Sequence, residues 1–142
     1  DKFTLTAIEE VLKCYLDQKE AVQKIPTLRM LTRPAEEIKE KARVCADRWS
    51  QEGALVQIQV EKCISKAGGG ALPETEISSY GVTLEANEIT VEELESRMRN
   101  LSIPVIGRIK EGRFLLDMRT FPEEGIEYLA TQIRHVMERK QN

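Results

Sequence analysis

The sequence predicts an α+β domain, a small and mainly antiparallel sheet with helices packed on one face. Three observations carry that expectation. The hydrophobic periodicities run in the order ααββαββα, without the strict βαβα alternation that a parallel sheet requires. A compact hairpin pattern occupies Pro104 to Thr120, with Lys110-Glu111-Gly112 at its turn. The 142 residues are 41% hydrophobic and 32% charged, enough for one compact core and too few for two large ones.

Ile8, Val11, Leu12, Tyr15 and Leu16 fall at i, i+3, i+4, i+7 and i+8, and Thr6 with Glu9 forms a capping-box pattern, which together predict a helix over about 4–18. Its abrupt start at Asp1 leads to the expectation of an excised piece whose natural chain continues upstream. Pro26 and Pro34 bracket a short linker. Ile38, Ala42, Cys45 and Trp49 then recur at helical spacing, predicting a second helix over about 34–52 that Gly53 stops. Ala54 to Val60 alternates apolar and polar residues, as does the weaker stretch Ile77 to Leu84, so two strands flank a glycine-rich loop. Thr90 and Glu93 repeat the capping box before Leu94 and Met98, giving a helix over about 91–100. The hairpin strands follow at about 104–109 and 113–119. Pro122, Glu123 and Glu124 open the last helix, where proline costs no hydrogen bond and acids meet the positive end of the dipole. Its stripe is Ile126, Leu129, Ala130, Ile133 and Met137.

Charge and cysteine content exclude several function classes. A formal net charge of −3, from 21 basic and 24 acidic residues, is unlike the strongly basic balance of a surface that grips nucleic acid through its phosphates. No apolar run approaches the roughly 18–20 residues of a membrane span, and no signal segment opens the chain, so the expectation is a soluble, cytoplasmic protein with no membrane partner. Cys14, Cys45 and Cys63 are widely and unequally spaced, and His135 is the single histidine, which fits neither a disulfide framework nor a zinc site. The site expectation for metal is none.

Two groups of residues stand out as candidate anion or substrate contacts. Gly68, Gly69 and Gly70 can present successive backbone N–H groups to an anion, although no Gly-Lys-Ser/Thr follows to make a nucleotide-binding loop; a flexible connection is the alternative. Asp117 and Arg119 lie two apart on a strand and so leave one face together with Leu115, while Phe114, Leu116 and Met118 leave the other. The guanidinium fork of Arg119, at an exposed strand end, suits a carboxylate or phosphate; an ion pair with Asp117 is the alternative. Arg97, Arg99, Arg108 and Arg113 form a loosely basic stretch whose interspersed acids point to a solvated face. His135, beside Arg134, Glu138 and Arg139, reads as a surface histidine.

Taken in order, Asp1-Lys2-Phe3-Thr4-Leu5, Ile25-Pro26-Thr27-Leu28-Arg29-Met30-Leu31, Gly68-Gly69-Gly70-Ala71-Leu72-Pro73 and the hairpin resemble the C-terminal part of the bacterial selenocysteine synthases, the L-seryl-tRNA(Sec) selenium transferases. The resemblance implies a fold like the C-terminal small domain of fold-type I pyridoxal phosphate enzymes. Residues 1–25 would be a helix connecting to an upstream cofactor domain, and residues 26–142 the small domain. It further implies that seryl-tRNA(Sec) becomes selenocysteinyl-tRNA(Sec): the cofactor, held by a lysine Schiff base, promotes loss of water from the seryl group, and selenium from selenophosphate adds. That lysine belongs to the upstream domain, so the resemblance assigns this chain no catalytic and no cofactor-binding residue and leaves it inactive alone. A seryl ester has no free α-carboxylate, so Arg119 would meet phosphate, the tRNA end or the cofactor domain. Partners implied are selenocysteine tRNA, selenophosphate and further copies in a ring of dimers. The alternatives are the small domain of a related pyridoxal phosphate lyase acting on an amino-sugar acid, and a non-catalytic interaction module.

Overall fold

The computed structural model describes residues 1–52, 56–67 and 75–137, and the chain divides into two compact units, Asp1–Pro34 and Ala35–Asn142. The first unit is three short helices, α1 (Lys2–Cys14), α2 (Gln18–Lys24) and α3 (Pro26–Thr32). The helix expected over 4–18 is α1, which ends at Cys14, and α2 is a further helix outside that expectation. Asp1 caps α1, its carboxylate accepting from Phe3 N at 3.1 Å, while Thr6 sits inside the helix and donates its hydroxyl to Lys2 O at 3.0 Å, so the Thr6–Glu9 capping box does not form. Asp17 starts α2 by accepting from Lys19 N at 2.8 Å and Glu20 N at 3.1 Å. The linker expected between Pro26 and Pro34 is α3, with Pro26 in its first turn, where the missing N–H has no helical partner in any case.

The second unit carries α4 (Ala35–Ser50), β1 (Val56–Lys66), β2 (Glu76–Ala86), α5 (Val91–Arg99), β3 (Arg108–Lys110), β4 (Arg113–Asp117) and α6 (Glu124–Met137). All strand pairs are antiparallel, in the order β1-β2-β4-β3, which is the expected α+β architecture. Val60 pairs with Val82 and Val82 with Leu116; one position pair along, Ile58, Leu84 and Phe114 align. These residues form the sheet face that packs with Ile38, Ala42, Cys45 and Trp49 of α4, Leu94 and Met98 of α5, and Leu129 and Ile133 of α6. Trp49 ties the layer together by donating its indole N–H to Ile126 O at 2.9 Å and meeting the Phe121 ring edge-on at 5.5 Å.

The hairpin is shorter than expected. Pro104 offers no backbone donor, and Val105 N bonds Met98 O at 3.0 Å, so 104–107 is held to the end of α5 and pairing begins at Arg108. Its two-residue turn places both Glu111 (φ 50°) and Gly112 (φ 75°) in the left-handed region, the geometry that matches strand twist. The Thr90 cap does form, accepting from Glu93 N at 3.2 Å. Among the described residues no helix is long and apolar enough to cross a membrane.

Candidate functional site

The sheet face turned away from the helices carries Gln59, Glu61, Cys63 and Ser65 of β1, Ser79, Gly81 and Thr83 of β2, Arg108 and Lys110 of β3, and Arg113, Leu115 and Asp117 of β4, as the pairing register requires. Asp117 is its focus. Gly81 faces it across the ladder, Ser79 lies one same-face position along β2, and Ser65 lies one position beyond Cys63, the residue paired with Ser79. Ser65 Oγ donates to Asp117 Oδ2 at 2.5 Å and Ser79 Oγ to Oδ1 at 2.8 Å. Arg108, whose guanidinium donates to Ile64 O at 2.8 Å, stands 3.8 Å from Oδ2.

The carboxylate also shapes the chain that follows. Oδ1 accepts from Arg119 N at 3.1 Å, and the Asp117 carbonyl accepts from Thr120 N at 3.2 Å and Phe121 N at 3.1 Å. From α4, Lys41 Nζ donates to Met118 O at 3.2 Å and to Phe121 O. Residues 118–121 are thus a turn held from both sides. Its acceptors and donors are engaged in structure, which makes Asp117 a strut rather than a proton-transfer group.

Arg119 differs from its expected setting. It lies in the turn beyond β4, is 5% exposed, and donates from its guanidinium to Ser78 O at 2.7 Å, so it joins the end of β4 to the start of β2 instead of standing free at a strand end. Leu115, on the face shared with Asp117, is also fully buried. The structure therefore brings Asp117 and Arg119 together at one end of the sheet. Gly68, Gly69 and Gly70, which follow β1 in the sequence, lie outside the described residues. Ser65, Ser79 and Lys41 were not singled out from sequence, and Arg108 was read only as part of a loosely basic, solvated stretch; the strand parity of the two serines is readable there, but the register that aims them at Asp117 is not.

Elsewhere on this face Glu61 pairs with Arg113 at 2.5 Å and lies 3.9 Å from Lys110. Arg97 and Arg99 pair with Glu93 and Glu95 at 2.6 and 2.7 Å on α5. Behind the 118–121 turn, Ile103, Ile106, Phe121 and Tyr128 line an apolar groove of about 380 Å³, and the Tyr128 hydroxyl accepts from Ile103 N at 3.0 Å. Burial pushes the Cys45 thiol up to about 11; Cys63 is raised by burial and then by the negative charge of Asp117, with Arg108 opposing. Among the described residues no group of His, Cys, Asp and Glu could hold a metal ion.

The lysines with resolved shifts are raised. Lys13 is held up by its hydrogen bonds to Glu10 and Glu9, and Lys24 by its hydrogen bond to Glu20, the opposite of what an amine needs to act as a nucleophile at neutral pH. Lys41 is committed to the two turn carbonyls.

The family profile described as L-seryl-tRNA selenium transferase matches residues 1–122. Curated proteins named L-seryl-tRNA(Sec) selenium transferase are similar as well. That of Alkaliphilus oremlandii is 37% identical over 97% of this chain and 30% of its own length, and that of Desulfotalea psychrophila 39% identical over 92% and 28%. That of Geobacter metallireducens is 40% identical over 94% of this chain and 29% of its own length. The chain thus spans about 30% of the length of the curated relatives it matches.

Proposed function

The chain belongs to the L-seryl-tRNA selenium transferase family, and we propose that it is the C-terminal small domain of a pyridoxal phosphate-dependent enzyme that makes selenocysteinyl-tRNA(Sec) from seryl-tRNA(Sec) and selenophosphate in the cytoplasm. The observation that carries the reading is the family match across residues 1–122 together with relatives of that one name. The cofactor would be held by the larger part of the family protein, because the lysines described above do not fit the role of its Schiff-base partner.

In this reading residues 1–25 connect to the cofactor domain and residues 26–142 act as a helper domain, with selenocysteine tRNA, selenophosphate and further copies in a ring of dimers as partners. Arg119 would reach an anionic group only by opening of the 117–121 turn that Asp117 holds, since its guanidinium is buried and donates to Ser78 O. The deciding experiment measures transfer of selenium from selenophosphate to seryl-tRNA(Sec) by the full-length protein, with and without pyridoxal phosphate. Cofactor-dependent transfer is expected. Lyase activity on an amino-sugar acid without any transfer to tRNA would replace this reading with that of the related lyase.

A further inference from the structure

Two arginines approach Asp117 from separate parts of the chain. Arg119 follows it in the turn, 5% exposed and donating to Ser78 O, and Arg108 reaches it from β3. The ladder explains the second approach: Arg108 pairs with Leu115, and Asp117 is the next residue on that face of β4, so the two are diagonal neighbours. β3 is the outer strand of the sheet, which leaves the Arg108 side chain 44% exposed, while that of Asp117 is 14% exposed.

Arg108 is also the most loosely held arginine of the basic stretch. Arg97, Arg99 and Arg113 meet glutamates at 2.6, 2.7 and 2.5 Å. Arg108 stands 3.8 Å from Asp117 Oδ2, beyond hydrogen-bond distance, and donates to the neutral Ile64 O at 2.8 Å. A phosphate offers a guanidinium fork two charge-assisted hydrogen bonds, which makes it a stronger partner than a carbonyl and a more distant carboxylate. Within the stretch, Arg108 is therefore the arginine that a phosphate recruits without breaking a direct bond to glutamate.

The effect of its departure follows from the setting of Asp117. The carboxylate has lost most of its water and accepts hydrogen bonds from Ser65, Ser79 and Arg119 N, with the Arg108 cation alongside. Taking the cation from a largely desolvated pair leaves a charge that is relieved by moving toward water, and Asp117 cannot move without releasing the Arg119 N–H. Its carbonyl, which accepts from Thr120 N and Phe121 N, moves with it. Lys41 still holds Met118 O and Phe121 O from α4, so the turn opens about that fastening instead of unravelling.

We infer that Arg108 is the latch of the 117–121 turn: a phosphate group that draws its guanidinium from Asp117 loosens the turn and uncovers Arg119, so that both arginines face one anion. This rests on the reading of Arg119 as an anion contact, and it goes further by naming the residue that releases the turn and the ligand chemistry that acts on it.

Backbone hydrogen exchange in the full-length protein tests the latch, read by mass on the peptide that carries Arg119, Thr120 and Phe121. The probe is inorganic phosphate, with sodium chloride at equal ionic strength as the control and peptides of α4 and α6 as the reference for general destabilisation. In the parent, phosphate is expected to speed exchange of the turn peptide several-fold over chloride, with α4 and α6 unchanged. Arg108→Gln should show the fast exchange without phosphate and no further response, whereas Arg108→Lys, which keeps the charge, should exchange like the parent when phosphate is absent. A parent that responds to phosphate no more than to chloride overturns the inference, as does a phosphate response shared by α4 and α6. Slow exchange in Arg108→Gln, or fast exchange in Arg108→Lys, overturns it as well. Exchange is read whether or not the protein transfers selenium, so failure here and failure of the transferase reading are distinguishable.

Discussion

Asp117 accepts hydrogen bonds from two serine hydroxyls and a backbone N–H, and its carboxylate connects β1, β2 and the turn bearing Arg119. Truncation to alanine leaves the Arg119 N–H and both hydroxyls without that acceptor, whereas asparagine keeps an oxygen for Oδ1 and offers an amide that the Ser65 hydroxyl can accept. Asp117→Ala should therefore lower stability by about 2–4 kcal/mol and Asp117→Asn by about 1 kcal/mol or less, read from urea midpoints. Equal losses in the two variants would refute the strut. The thiols give a second expectation. Cys45 and Cys63 are buried and Cys14 is partly exposed, so iodoacetamide at pH 8 should modify Cys14 first. Cys45 also links stability to pH: its folded value of about 11 lies above the ordinary 9.0, so its contribution is complete below pH 9 and is lost as pH rises toward 11. Between those pH values the parent should lose up to about 3 kcal/mol more than Cys45→Ala, a difference that denaturant titrations at pH 8 and pH 11 would measure.

At the scale of elements, what sequence made legible depended on whether the signal was local. The helix expected over 34–52 is α4, because its apolar spacing is contained in the stretch itself; the stop expected at Gly53 lies outside the described residues. The Thr90 cap likewise needs three residues and forms. Strand lengths were less legible: β1 runs on to Lys66, past the point where Lys62 breaks its alternation, because β2 pairs with it as far as Glu76, while Arg113 of β4 and Lys110 of β3 reach Glu61 across β2. Pairing partners far along the chain decide such cases. The seam between β2 and β4 shows how closely the strands approach. A Cβ at Gly81 would lie 2.5 Å from Leu115 Cδ1 and 2.8 Å from Leu116 O, and the second of these is backbone that cannot swing aside. Gly81→Ala is expected to destabilise the domain by about 1–3 kcal/mol through this overpacking, despite the ordinary strand preference for a side chain. A thermal melt unchanged from the parent would mean that the ladder relaxes there at no cost.

For the whole molecule, the balance of charge bears on how the domain would meet the tRNA that the proposed function gives it. The net charge of −3 gives little long-range attraction to phosphate, a point already visible in composition. The structure adds what composition could not: of the arginines in the basic stretch, Arg97, Arg99 and Arg113 are each paired with a glutamate within 2.7 Å, and Arg108 stands by Asp117. The candidate anion contact was legible only as a residue pair, since the burial of Arg119 follows from a turn that Lys41 and Asp117 hold from separate elements. A phosphate approaching these arginines must displace a carboxylate already in place, so few counterions are released on binding and the salt dependence is shallow. Residues 1–142 alone should therefore bind tRNA weakly and without preference for the selenocysteine tRNA, even where the full-length protein binds it well. Filter binding at two salt concentrations, with an ordinary serine tRNA for comparison, measures both points. Tight, discriminating and steeply salt-dependent binding by this chain would show that the glutamates yield to phosphate, and would move tRNA recognition into this domain.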